Sequence, residues 1–195
     1  MGTHPVQLHV ERPTRSGRIH VFTRLVLLLA VGALGCSSIY WALYLALPAV
    51  VALLVLQRGS ARYLAEDAPR ATRVLRWFAS AYAYLWLLTD TLPTAEGGPV
   101  DLRVEASGSP TAASALLRVL TSLPALLLVV LLSAAASVLW VIGAVFILAR
   151  ERMPGAIADF LVVALRYQFR LFAYHLSLVE RYPSLEDSRL AHAAT

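Results

Sequence analysis

The chain has 195 residues, 58% of them hydrophobic, and carries a formal net charge of +5. Soluble domains are usually about 45–50% apolar, so this composition excludes an ordinary soluble protein and favours a membrane protein. All 17 basic residues are arginine. They flank apolar blocks, which favours a membrane-orientation signal over a nucleic-acid site. The single cysteine, Cys36, excludes an internal disulfide bond.

One short pattern occurs twice along the chain. Residues 5–11, PVQLHVE, return as residues 99–105, PVDLRVE, and an arginine follows each copy 13 residues after its glutamate, at Arg24 and Arg118. Apolar and polar residues alternate in both copies, which predicts a half-buried strand. A lone strand is unstable, so we expect the two strands to pair. If a pseudo-twofold axis relates the copies, the pairing is antiparallel.

A long apolar block follows each strand. Residues 25–56 and 119–149 contain no charged residue, and each block is too long for one helix across a hydrocarbon core of about 30 Å. Small residues near the middle of each block, Gly32–Ser38 and Ser133–Ser137, predict a tight turn between two shorter spans. The sequence therefore predicts two membrane hairpins and four transmembrane helices. The alternative is one steeply tilted helix per block.

An amphipathic helix is predicted to close each copy of the pattern. In the first, arginines at three-residue spacing share one face. In the second, an aspartate and two arginines separated by seven and four residues form a polar stripe on an apolar cylinder. Such helices commonly lie in the membrane interface or cover neighbouring helices. We expect the charges of the second helix to face headgroups or to pair with acidic residues at the helix ends. The alternative is a polar path through the membrane. The candidate interfacial or polar-seam residues are Arg73, Arg76, Asp90, Asp159, Arg166, Arg170 and Glu180.

These elements divide the chain into two tandem repeats joined by a linker at residues 94–98. The predicted fold class is mainly α and integral membrane, with the two strands forming a small antiparallel ribbon. The first repeat, residues 1–93, has a strand at 5–11, a hairpin at 20–57 and an amphipathic helix at 68–90. The second repeat, residues 99–184, has a strand at 99–105, a hairpin at 114–150 and an amphipathic helix at 155–180, and residues 185–195 form a flexible tail.

The distribution of arginine predicts the topology. With two spans per repeat, residues 1–24, 57–113 and 150–195 fall on one side, and they hold every arginine once Arg118 is counted at the mouth of the second hairpin. The positive-inside rule places that side, and both termini, in the cytoplasm. No cleavable signal peptide is evident, so the N-terminus is expected to be retained. If the amphipathic helices also spanned, the repeats would be inverted and the two strands could not meet.

Several residue groups match a family pattern of a proline-containing turn, an Arg-aromatic helix and an Arg-Tyr-Pro ending. In the second half these are residues 152–155 with Asp159-Phe160, Arg166-Tyr167, Arg170, Ala173-Tyr174 and residues 179–183. In the first half they are Arg76-Trp77, Ala83-Tyr84 and residues 88–90, while the turn keeps Arg62-Tyr63 without the proline and glycine. The chain thus resembles two tandem copies of a bacterial membrane family, domain of unknown function four-three-eight-nine. The resemblance implies a multi-pass protein of the bacterial inner membrane and implies no activity.

No catalytic set is evident in the sequence. The five histidines lack metal-ligand spacing, and no glycine-rich phosphate loop or nucleophile elbow occurs. Ser37 and Ser38 have no nearby base. The apolar blocks hold no ionisable group, which argues against ion-coupled transport. The sequence therefore predicts a non-enzyme without cofactor or metal.

Two functions are compatible with this pattern. The first is an accessory or scaffold subunit of a membrane complex, with membrane lipids and either a membrane protein or a second copy as partners, and with no nucleic acid. The alternative is a lipid-interacting or small-solute transport protein that uses a cavity between pseudo-symmetric repeats. A membrane enzyme is the third candidate.

Overall fold

A computed structural model describes residues 4–33, 36–93 and 98–185. The protein is mainly helical and has one small antiparallel sheet. The elements are β1 (Val6–Val10), α1 (Arg18–Ala33), α2 (Cys36–Arg58), α3 (Ser60–Arg62), a π-helical segment (Tyr63–Asp67), α4 (Ala68–Leu85), β2 (Val100–Val104), α5 (Ala112–Thr121), α6 (Leu123–Arg150) and α7 (Gly155–His175).

The two strands pair as the sequence predicts. β1 and β2 run antiparallel, with Leu8 opposite Leu102. Both leucines are buried in the main core, which agrees with the alternation of apolar and polar residues. Leu8 and Leu102 occupy the same position in the two heptapeptides, so the ribbon is centred on corresponding residues. One face of this ribbon packs against α4 and α7.

Both predicted amphipathic helices end five residues earlier than expected, α4 at Leu85 and α7 at His175. Leu87 and Ser177 adopt left-handed backbone conformations, with φ of 64° and 52°, and such a residue commonly terminates a helix. The closing six-to-one hydrogen bonds of a Schellman motif run from the Leu88 amide to the Ala83 carbonyl at 2.9 Å and from the Leu178 amide to the Ala173 carbonyl at 3.0 Å.

The predicted interfacial position of the second amphipathic helix is wrong. Thirteen of the 21 residues of α7 are buried, because β1, α4, α5, α6 and α2 surround the helix. Its arginine stripe faces protein and not headgroups. In contrast, α4 keeps an exposed face that includes Val74, Trp77 and Phe78.

The second apolar block lacks the predicted turn. α6 continues through Ser133–Ser137, where the Ser137 hydroxyl donates to the Ser133 carbonyl at 2.8 Å and so satisfies its polarity within the helix. The block is instead interrupted at Ser122, between α5 and α6, just before Pro124 in the first turn of α6. A proline is well tolerated there because that turn's amides have no intrahelical partner.

The first apolar block contains two helices, since α1 ends at Ala33 and α2 begins at Cys36. Residues 34–35 of its predicted turn lie outside the described residues. So do residues 94–97 of the predicted linker and residues 186–195 of the predicted tail.

Among the described residues, α6 is the one unbent helix long and apolar enough to cross a membrane. Its 28 residues extend over about 42 Å. A second candidate is the bent pair Tyr44–Arg58 and Ser60–Leu85, which meet at 117°. Gly59 lies at the bend with φ of 80°, a conformation that glycine adopts without strain.

Candidate functional site

A buried arginine binds the residues that follow the C-terminal end of α4. Arg24, in the second turn of α1, is 0% exposed. Its Nη2 donates to the Thr89 carbonyl at 2.5 Å and to Asp90 Oδ1 at 2.8 Å, and its guanidinium lies 4.5 Å from the centre of the Tyr84 ring. Asp90 Oδ2 accepts a hydrogen bond from the Gly17 amide at 2.8 Å. One carboxylate therefore holds both Arg24 and the start of α1.

Arg118 makes corresponding contacts at the end of α7. Its Nη1 donates to the Tyr174 and Val179 carbonyls, both at 2.7 Å, and its guanidinium lies 4.6 Å from the Tyr174 ring centre. Glu180 stands where the first half has Asp90, but it accepts a hydrogen bond from the Ser109 amide at 3.3 Å. The two arginines thus hold equivalent helix ends, one with an ion pair and one through carbonyl groups.

Two predicted polar-seam arginines cross between the halves of the chain. Arg76 of α4 donates to the Leu102 carbonyl through Nε and Nη2, at 3.3 and 3.2 Å. Arg166 of α7 donates to the Leu8 carbonyl at 2.8 Å. The Glu11 amide bonds to Pro99 across the ribbon, which makes Leu8 and Leu102 a non-hydrogen-bonded pair whose carbonyls point outward. Each arginine therefore satisfies a carbonyl on the strand of the other half.

The predicted seam residues Arg73, Asp159 and Arg170 do not lie together in one site. Arg170 donates to the Val6 carbonyl at 3.4 Å, and Asp159 forms a half-exposed ion pair with Arg12 at 2.6 Å. Arg73 is exposed and, with Arg76, lines a shallow groove beside β2. The expectation that the charges of α7 pair with Asp90 or Glu180 is wrong for Arg166. The two arginines of the stripe donate to strand carbonyls, which offer acceptors without a second buried charge.

A buried hydrogen-bonded chain joins α2, the start of α6 and α7. His175 Nε2 lies 2.6 Å from Ser122 Oγ, which lies 2.9 Å from the Tyr44 hydroxyl. Burial lowers the pKa of His175 to about 4, so the imidazole is neutral near pH 7. A serine beside a histidine can form a nucleophile and base. Both residues are 0% exposed, so this pair links helices and offers no substrate access.

The sequence prediction missed this chain because 53 residues separate Ser122 from His175 and no local pattern connects them. The side chains of Ser37 and Ser38, for which the sequence offers no nearby base, lie outside the described residues. Across the described ranges, no cluster of three or more His, Cys, Asp or Glu side chains is placed to hold a metal ion.

A cavity of about 470 Å³ opens between α1, α4, α6 and α7. Its walls are mainly apolar, and its polar groups come from Tyr82 of α4, Gln168 of α7 and two serines of α6, Ser133 and Ser137. Such a cavity, apolar with a few convergent polar groups, is typical of small-molecule sites.

Large apolar side chains cover the outer faces of the four helices in the apolar blocks. We call this surface the apolar belt and define it by exposed residues of α1, α2, α5 and α6. These residues are Leu25, Val26, Leu28, Leu29, Leu45, Leu53, Leu116, Leu120, Leu127, Val130, Leu131, Val138, Val141 and Val145. Contiguous apolar surface of this kind marks a membrane or protein interface.

The comparisons with known proteins cover part of this arrangement. Residues 112–185 match the family model for "Domain of unknown function (DUF4389)". Neither the curated proteins nor the solved structures gave a match. The matched residues run from the start of α5 past the end of α7, and so include Arg118 and Arg166. The resemblance drawn from the sequence is confirmed for this range, and a second copy in residues 1–93 stays a prediction.

Proposed function

We propose that the protein is a non-enzymatic integral membrane protein that serves as an accessory or scaffold subunit of a membrane complex. The apolar belt is the observation that carries this proposal. Exposing so many leucine and valine side chains to water costs about 25 cal/mol for each Å² of apolar surface. A bilayer removes that cost, and α6 has the length to cross it.

Two copies of one unit, inserted in the same orientation, form the proposed architecture. The ribbon centred on Leu8 and Leu102 supports it, as do the reciprocal contacts of Arg76 and Arg166. Both strands then lie on the cytoplasmic side of the bacterial inner membrane with both termini, and the apolar blocks supply four membrane-embedded passes. α1 and α5 are short, about 24 and 15 Å, against a hydrocarbon core of about 30 Å, so these passes require local thinning of the bilayer as well as flanking side chains that reach the interface.

The topology can be tested in the linker between the halves. Alkaline phosphatase fused between Pro93 and Gly98 should be inactive, since it is active only outside the cytoplasm, and a fluorescent protein at the same point should fluoresce. The same pair of reporters after Leu185 is the matched control and should give the same result. Phosphatase activity at the linker would contradict two passes per half.

A scaffold role is supported by the way the buried polar groups are used. Arg24, Arg118 and Arg166 all donate to backbone carbonyls, and His175 and Ser122 are fully enclosed. The exposed aromatic pair Trp77 and Phe78 on α4, with ring centres 5.2 Å apart, offers a different surface outside the apolar belt. Aromatic residues are enriched in protein interfaces, so we assign partner binding to this pair.

Native purification tests this role. In detergent-free polymer discs the wild-type protein should co-purify with a stoichiometric membrane partner or a second copy. Trp77→Ser with Phe78→Ser should lose most of that partner, because interface aromatics commonly contribute 2 kcal/mol or more to binding, about a 30-fold change in affinity. Val145→Ser, at an exposed position of α6, is the control and should keep it. A monomeric wild-type particle without partner would refute the proposal.

Lipid or small-solute binding is the second candidate function. The 470 Å³ cavity favours it, because residues from both halves line that space.

A further inference from the structure

We propose that a pocket at the start of α7 binds a terminal phosphate group, one with three free oxygens. The pocket has a volume of about 280 Å³ and lies where the segment between β1 and α1 meets the turn between α6 and α7. It is separate from the apolar cavity, since the two share no described lining residue. The inference goes beyond both candidate functions and depends on neither of them.

The first turn of α7 presents two free backbone donors. Pro154, the N-cap residue, has no side-chain cap, and its carbonyl accepts from the Ile157 and Ala158 amides, both at 3.1 Å. The amides of Gly155 and Ala156 have no intrahelical partner, as is usual at a helix start. Gly155 lines the pocket. Because unpaired amides and the helix dipole both favour negative charge, this end of α7 suits an anion.

A buried hydroxyl group provides an independent observation at the same pocket. Ser16 is 4% exposed and lines the pocket, and its amide donates to the Glu151 carbonyl at 2.9 Å. The hydroxyl has no hydrogen-bond partner among the described residues, yet its oxygen remains accessible. A buried hydroxyl without a partner costs free energy. A ligand in the pocket that accepts this hydrogen bond removes that cost.

Arg152 gives the pocket a positive charge that needs a counter-ion. Its side chain is exposed, lines the pocket and has no ion-pair partner among the described residues. The acidic side chains of the adjoining segments are already paired. Asp159 lies 2.6 Å from Arg12, and Glu151 lies 3.3 Å from Arg18. An anionic ligand would therefore supply the counter-ion that the protein itself does not.

The number of donors favours a terminal phosphate over a carboxylate. A guanidinium group such as that of Arg152 can bind two phosphate oxygens side by side. The Ser16 hydroxyl and the Gly155 amide supply further donors, which a third oxygen can accept and which a carboxylate with two oxygens would leave unused. Terminal phosphates occur in soluble phosphate esters and in the heads of some anionic lipids. The experiment separates these two sources.

Isothermal titration of the purified full chain in dodecylmaltoside micelles tests the site with matched probes. Glycerol 3-phosphate carries the phosphate alone, dioleoylphosphatidate carries the same phosphate on a lipid, and dioleoylglycerol is that lipid without the phosphate. Binding of glycerol 3-phosphate would identify a soluble ester as the ligand, and binding of dioleoylphosphatidate alone would identify a lipid head. No binding of either phosphate, or dioleoylglycerol binding as tightly as dioleoylphosphatidate, would overturn the proposal.

A pair of arginine variants separates this pocket from general charge attraction. Arg152→Gln and Arg15→Gln remove the same charge from exposed side chains, but only Arg152 lines the pocket. Arg152→Gln should weaken binding of the phosphate probe by about 10-fold or more, because hydrogen bonds to charged groups are the stronger ones. Arg15→Gln should leave the affinity nearly unchanged. Equal affinities of the two variants would overturn the proposal.

A pair of variants at Gly155 tests the backbone donor. Gly155→Pro removes the amide hydrogen at a position where a helix tolerates proline. Gly155→Ala keeps that hydrogen, and a Cβ added there meets no atom within 4 Å. The proline variant should bind the phosphate probe about 5- to 10-fold more weakly than the alanine variant, and equal binding would contradict the assignment. Because these titrations need no partner, their failure leaves the partner test unaffected.

Discussion

Replacement of Asp90 by alanine is expected to lower the free energy of unfolding by about 3–5 kcal/mol. Arg24 is fully buried, and Asp90 is the carboxylate that faces it at 2.8 Å. Removal of one partner leaves an uncompensated buried charge, which costs that much in soluble proteins. The change also removes the acceptor of the Gly17 amide at the start of α1. Unfolding in mixed dodecylmaltoside and SDS micelles, followed by circular dichroism, measures the effect.

Two other carboxylates provide controls for this experiment. Glu66→Ala breaks an exposed ion pair with Arg62, four residues earlier, which should change stability by less than about 1 kcal/mol. Glu180→Ala changes the position that corresponds to Asp90, but Arg118 is held there by two carbonyls at 2.7 Å. We therefore expect a smaller loss than for Asp90. Equal losses at Asp90 and Glu66 would show that the Arg24 ion pair is not a determinant of stability.

Acidification should destabilise the protein through His175. Burial lowers the pKa of this imidazole to about 4, below its usual value of about 6.5 in an unfolded chain. The unfolded state therefore binds the proton more readily, and the stabilisation present above pH 6.5 is lost as the pH falls toward 4. Between pH 7.5 and 4.5 the loss from this group is about 2–3 kcal/mol. The groups that face the imidazole are Tyr44 from α2, Arg118 from α5 and Ser122 before α6.

The measurement compares the pH dependence of unfolding in the wild type and in His175→Gln. The variant cannot take up the proton, so its stability should fall less steeply between pH 7 and pH 5, whatever its stability at neutral pH. His9→Gln tests whether loss of any imidazole has this effect. Parallel curves for the wild type and His175→Gln would exclude His175 as the group responsible.

The features that the sequence could reveal are those carried by local patterns. The alternation in residues 5–11 and 99–105 is sufficient to predict the strands, and a pseudo-twofold axis between the two copies predicts their antiparallel pairing. The recurrence of Arg24 and Arg118 at the same spacing marks both residues in the sequence. Their partners carry no such signal, since Thr89 and Val179 contribute backbone carbonyls, which every residue has.

The two incorrect predictions, for the position of α7 and for a turn in α6, also arise because the sequence does not show which backbone group a side chain will bind. Arg166 and Arg170 gave α7 a polar stripe that looked suited to headgroups, but the acceptors are strand carbonyls about 160 positions earlier in the chain. Ser133–Ser137 looked like a turn, although serine can return its hydroxyl to its own helix. Periodicity reports which residues share a face and does not report what lies opposite that face.

The separation of the paired strands sets an order of events during synthesis. The Arg24–Asp90 contact lies wholly within the first half of the chain. This ion pair at the end of α4 can therefore form before the second half is synthesised. β1 must wait for β2, about a hundred residues later, which at ordinary elongation rates is about 5–20 s. Through that interval the Leu8 carbonyl also lacks Arg166. Joining of the ribbon therefore cannot precede the appearance of β2, and β1 of the nascent chain is until then open to capture by a neighbouring strand.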